Sequence, residues 1–202
     1  MSKSKKNTID PQAMIKNYGA DAVRLFILSD SPPEKDVQWS EEGMVSSYKF
    51  IQKLWVLNNK IIEEINKNHS KDGGNGLEIF TNKYIKKITQ NLENFSYNIM
   101  VANLHEMHTF LTKEINQQYS KETLRKNYKK ILLTLIPILP HFANECVIQI
   151  KDIGENHWPS YDEKLVEDDE IKFVIQVNGK KRGIIEAKKG TGEQILLDKI
   201  QE

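Results

Sequence analysis

Cysteine is almost missing from this 202-residue chain, which has Cys146 and no other. An internal disulfide is thereby excluded, and so is any zinc site that needs several thiolates. No apolar run approaches the ~20 residues of a membrane-spanning helix, and the first residues lack the hydrophobic block of a secretory signal. Membrane and export readings fall away, and a cytoplasmic protein is expected. Charge of one sign is lacking as well: 29 Lys and Arg stand against 28 Asp and Glu, a formal net charge of +1.

The motifs of a self-contained enzyme are also absent. There is no GxGxxG, no Walker glycine loop and no Ser/His/Asp arrangement. His105 and His108 lie three apart, yet His141 and Cys146 are the only residues that could join them, so no metal site is expected. Cys146 falls in an apolar stretch and reads as a buried small side chain.

What the sequence does hold is helical periodicity. Asp10 before Pro11 is an N-cap with a first-turn proline, so a short helix is expected over Pro11–Tyr18, ending at Gly19. Asp21 is expected to cap a second helix with Val23, Phe26 and Ile27 on one face, and Pro32 and Pro33 mark a loop after it. Ser40 is expected to cap a long helix reaching about Asn68, with Met44, Ile51, Leu54, Trp55, Asn58, Ile61, Ile62 and Ile65 along its inner stripe. After the linker HSKDGGNG, Ile85, Ile88 and Leu92 form a stripe that breaks at FSYN and resumes with Met100, Leu104, Met107, Leu111 and Ile115. The element from Lys121 to about Ile150 contains Pro137 and Pro140, which predict a kink or two abutting helices.

No such helix can bury its stripe alone, which predicts an antiparallel bundle over residues 41–150, after a region 1–40 of loop and connecting helices. An acidic linker is expected over 151–170. The pattern then changes to period two: Ile171, Phe173, Ile175 and Val177 alternate with Lys172, Val174 and Gln176, and Asn178 with Gly179 suits a two-residue turn. Thr191 is expected to cap a last helix. The fold class is therefore mainly α, followed over 171–202 by a small α+β domain that a single hairpin leaves incomplete.

Beneath the balanced total, charge is clustered. Lys121, Arg125, Lys126, Lys129 and Lys130 gather around the single acid Glu122, and Lys180, Lys181, Arg182, Lys188 and Lys189 around Glu186. Both are candidate contacts for a polyanion, although a lysine-rich helix face is more often simply solvated and charges after a turn as often serve to keep a hairpin soluble. The opening MSKSKKN puts three lysines and two serines into the first six residues. Ammonium groups on a short loop beside helix starts suit polyphosphate, and a basic terminus of no special role is the competing reading.

MSKSKKN resembles the KMSKS loop of class I aminoacyl-tRNA synthetases without its leading lysine. The continuation IDPQAMIKNYGADAVRLFILSDSPPEKDVQWSEEG is similar to that of the leucyl members, as are Trp158–Pro159 and VNGKKRG further on. YGAD and RLF are shared with isoleucyl and valyl enzymes, which remain the alternative. The resemblance implies that Lys3 stabilises the pyrophosphate side of ATP, which is bound with Mg2+ as a substrate, while a leucine carboxylate attacks the α-phosphate. Met1, Ser2, Ser4, Lys5 and Asn7 would complete that loop. The bundle would be of the anticodon-binding type and hold tRNA(Leu), with the hairpin reaching the tRNA elbow. No HIGH motif, nucleotide-binding body, amino-acid pocket or editing region is found, so the chain is expected to be a C-terminal piece of such an enzyme, its missing portions supplied in cis or by a separate subunit. On its own, it is expected to be inactive in catalysis, or to serve as a tRNA-binding module.

Overall fold

The computed structural model describes residues 9–30, 32–67, 73–151, 154, 156–166, 170–177 and 180–188. Two compact units divide the chain, residues 1–161 and 162–202.

The first unit is helical. Helix α1 spans Pro11–Tyr18; the Asp10 carboxylate accepts from the Gln12 amide at 3.0 Å, and Gly19 (φ 85°) closes the helix by donating to the Ile15 carbonyl. Helix α2 covers Ala20–Asp30, α3 Glu41–Asn66, α4 Gly76–Glu93, α5 Tyr97–Glu114, α6 Lys121–Leu135 and α7 Pro140–Ile150. Ser40 caps α3 by accepting from the Gly43 amide, and Ser120 caps α6 by accepting from the Thr123 amide, each at 3.1 Å. The break between α4 and α5 falls at FSYN, where Phe95 takes a left-handed φ of 53°.

Two expectations need correction. On α2 the buried face is Ala22, Leu25 and Phe26, while Ile27 is 47% exposed and Val23 only partly covered. Neighbours on several sides, α1, α3, α5 and α7, set that face, so a single stripe could not reveal it. Asp21 lies within the first turn of α2, and its carboxylate bonds to backbone amides at the start of α7 instead of capping its own helix. The inner face of α3 includes Phe50 and Leu57 beside Met44, Leu54, Asn58, Ile61 and Ile65, with Ile51, Trp55 and Ile62 partly buried at its flanks.

One apolar cluster runs through α2 to α7, and a smaller one joins Ala22, Phe26 and Met44 to Tyr18, Val37 and Trp39. Gly43 lets α2 and α3 approach: a Cβ there would lie 2.7 Å from the Phe26 ring. Buried polar groups tie the register of three helices. The Tyr128 hydroxyl donates to Asn58 Oδ1 at 3.0 Å, and Asn58 Nδ2 donates to Gln149 Oε1 at 2.7 Å.

In the second unit a one-turn helix, α8 (Glu163–Val166), precedes strands β1 (Glu170–Val177) and β2 (Lys180–Lys188). They pair antiparallel with Phe173 opposite Ile185 and Val174 opposite Ile184. Ile175 pairs with Gly183 but Gln176 with Lys181, so Arg182 is an extra residue in β2, a bulge. The expected Asn178–Gly179 turn and the Thr191 helix lie outside the described residues.

Candidate nucleic-acid interface

Helix α6 turns Leu124, Tyr128, Ile131, Leu132 and Leu135 into the core. The spacing of its cations leaves Lys121 and Lys126 exposed, with Arg125 and Lys130 half-buried. Lys129 does not share that face. It is buried, and its ammonium donates to the Gly154 carbonyl at 2.9 Å, so its charge serves the loop after α7.

Residues 156–161, which follow Gly154, run back along the bundle as a strap. Pro159 is buried, the Trp158 Nε1–H donates to Thr89 Oγ1 of α4 at 3.0 Å, and the Lys86 ammonium stands 5.7 Å from the centre of the Tyr161 ring. Between strap and α6 lies a groove of about 480 Å³, lined by Arg125, Lys126, Lys129, Lys130, His157 and Trp158 among others. In the sequence Trp158 stands out only as a landmark. The tryptophan–proline pair, placed after an exposed loop, is the one local signal that this segment packs rather than links.

A second constellation surrounds the break between α6 and α7. Pro137 and Pro140 interrupt the helix there and leave backbone groups unpaired. The Asp21 carboxylate accepts from the amides of His141 (3.4 Å) and Phe142 (2.7 Å), at the start of α7. Arg24 donates to the carbonyls of Ile138 (3.2 Å) and Pro137 (2.5 Å). His141 Nδ1 also lies 2.9 Å from Asp21.

The histidine pair is packed against an aromatic ring. His105 lies over Phe50 with ring centres 3.8 Å apart, and His108 meets the same ring edge-on at 5.7 Å. Both are held below the ordinary imidazole value, His105 by burial, then His108 and Lys53, and His108 by burial, then Lys53. Among the described residues, no group of three or more His, Cys, Asp or Glu could hold a metal ion. Burial pushes the Cys146 thiol up to about 12. No helix among the described residues is long and apolar enough to cross a membrane.

Met1, Ser2, Lys3, Ser4, Lys5 and Asn7 lie outside the described residues, and of Lys180 and Lys181 only the backbone is described. Arg182 is exposed.

The sequence matches the family model described as the anticodon-binding domain of tRNA ligase over residues 77–197. The chain belongs to that family. Residues 1–40 match a second model, that of class I tRNA synthetases (I, L, M and V). Among the similar proteins is a leucine-tRNA ligase of Fusobacterium nucleatum, 36% identical over 214 residues, covering 98% of this chain and 25% of the relative. One from a Wolbachia species is 40% identical over 190 residues, covering 92% and 22%, and one from Prochlorococcus marinus (strain NATL1A) is 37% identical over 209 residues, covering 98% and 24%. The chain thus spans about a quarter of the length of these curated relatives. Its fold is that of part of the crystal structure of the Agrobacterium radiobacter K84 agnB2 LeuRS-tRNA-LeuAMS ternary complex. The TM-score is 0.79 at 21% identity, covering 99% of this chain and 27% of that one. The helical anticodon-binding family followed by a small strand pair is what the resemblance implied.

Proposed function

We infer that the chain is the C-terminal part of a leucine-tRNA ligase and works in the cytoplasm. In the whole ligase it contributes the KMSKS-type loop to ATP-dependent activation of leucine and an RNA-holding body to charging of tRNA(Leu). The observation that carries this reading is that relatives named as leucine-tRNA ligases align across 92–98% of the chain. The match of residues 1–40 to the class I model supports the catalytic share.

In this reading Lys3 is the catalytic residue. Its ammonium neutralises charge that builds on the pyrophosphate side of ATP as the leucine carboxylate attacks the α-phosphate, with Mg2+ accompanying ATP as substrate. Met1, Ser2, Ser4, Lys5 and Asn7 hold the loop around it. Lys121, Arg125, Lys126 and Lys130 on α6, and Lys180, Lys181 and Arg182 on β2, are the RNA contacts. Lys129 supports them by fixing the strap.

The test is made in the whole ligase. Lys3→Ala lowers the leucine-dependent exchange of pyrophosphate into ATP by at least about tenfold and leaves tRNA affinity within about twofold, because the charge acts in the transition state. Normal exchange with lost tRNA affinity would remove the assignment. The 202 residues alone are expected to give no exchange above a no-enzyme blank, and exchange by a highly purified sample would overturn that expectation.

A further inference from the structure

The groove between α6 and the strap differs from an ordinary solvated lysine face in three respects. Arg125, Lys126 and Lys130 make no ion pair among the described residues. The Arg125 Nε–H has no hydrogen-bond partner among the described residues, so the guanidinium is not tied to a carbonyl or carboxylate of the bundle through that atom. Trp158 lines the groove while 39% exposed, and its orientation is set by its bond to Thr89 rather than by enclosure of the ring. Cations and an exposed aromatic ring thus meet across a volume of about 480 Å³.

We propose that this groove takes one unpaired nucleotide of an RNA partner, its phosphate on Arg125, Lys126 and Lys130 and its base against the Trp158 indole. The proposal rests on the RNA-binding reading above and deepens it. Arginine's planar fork can give a phosphate two hydrogen bonds, and the two lysines add charge without direction. A base inside a helix has both faces covered by its neighbours, so an exposed indole selects an unstacked one. Every base has a π-face, and the site therefore tolerates any base identity. Glu122, the one acid among the groove's described lining residues, disfavours a second phosphate there.

The experiment is a titration of the full 202-residue chain with three probes at about 50 and 200 mM salt: labelled single-stranded oligoadenylate, a blunt RNA duplex and tRNA. The parent binds oligoadenylate more tightly than duplex. The double variant Lys126→Glu, Lys130→Glu, checked as folded by circular dichroism, loses at least about tenfold in oligoadenylate affinity and shows a shallower salt slope. Trp158→Leu loses about five- to tenfold, Trp158→Phe recovers most of that loss, and Thr89→Val, which removes only the hydrogen bond that orients the ring, loses least. Should the double variant or Trp158→Leu bind oligoadenylate like the parent while the parent binds tRNA, the groove proposal falls and the RNA-binding reading stands. A parent that binds neither oligoadenylate nor tRNA overturns both.

Discussion

Asp21 and Phe142 are 121 residues apart, in α2 and α7, and the carboxylate of the first accepts the backbone amide of the second at 2.7 Å. Leu139, the residue in the N-cap position of α7, makes no side-chain cap bond. Asp21 supplies that cap from another helix and adds a negative charge at the positive end of the α7 dipole. One turn along α2, Arg24 takes the carbonyls freed on the other side of the same break. The amides and carbonyls opened by Pro137 and Pro140 are thus met by side chains of matching polarity. Replacing Asp21 by Ala is expected to cost about 1–2 kcal/mol, the upper part of the range for lost N-caps. Asp21→Asn keeps an acceptor and costs less. Urea unfolding of both variants measures the difference, and equal losses would show that the charge, not the acceptor, matters.

Gly43→Ala improves the intrinsic helix propensity of α3, yet it is expected to destabilise. The new methyl would stand 2.7 Å from the Phe26 ring, which is itself packed edge-on against Trp39 at 5.2 Å. Overpacking of this kind costs about 1–3 kcal/mol, more than the gain of up to ~1 kcal/mol from removing a helical glycine. Thermal unfolding settles the sign. A further change of Phe26→Leu in the Gly43→Ala background should return part of the loss.

His105 and His108 make stability pH-dependent. Their folded values lie below the ordinary 6.5, so between the two the unfolded chain binds more protons than the folded one. Their contribution is fully present above 6.5 and is lost as the pH falls through the lowered values. Lys53 and the Phe50 ring face the pair, and neither gains a compensating negative charge in that interval. Urea midpoints at about pH 7.5 and about pH 5 should differ less for the double variant His105→Gln, His108→Gln than for the parent. An unchanged difference would assign the pH dependence to other groups.

The hairpin offers a prediction about RNA. Arg182 has no partner residue in β1, so its replacement disturbs no paired position of the ladder. The triple variant Lys180→Ala, Lys181→Ala, Arg182→Ala is expected to keep its circular dichroism spectrum and to bind tRNA more weakly, with the salt slope reduced by up to about 0.9 for each phosphate no longer neutralised. Affinity equal to that of the parent at every salt concentration would mean that the charges serve only to keep the hairpin hydrated.

The local codes were legible from the sequence. Asp10–Pro11, Ser40 and Gly19 act within one turn of where they stand, and the stripes of α3 to α6 follow from a 3.6-residue period that any buried helix must obey. The two prolines likewise announced the break between α6 and α7, because the missing amides and the ring clash belong to the residue itself. What answers that break was not legible. Asp21 reads as a cap for its own helix, and only the packing of α2 against α7 brings its carboxylate to Phe142 instead. The same holds for Lys129, one of five cations alike in sequence, which folding sets against the Gly154 carbonyl while Lys126 stays in solvent. Trp158 becomes one wall of a cationic groove through tertiary packing, in which its indole N–H meets Thr89, 69 residues earlier. Periodicity and capping are properties of neighbouring residues, so the sequence determined them. A hydrogen bond between distant residues depends on which helices meet and at what rotation, and the shared core alone decides that.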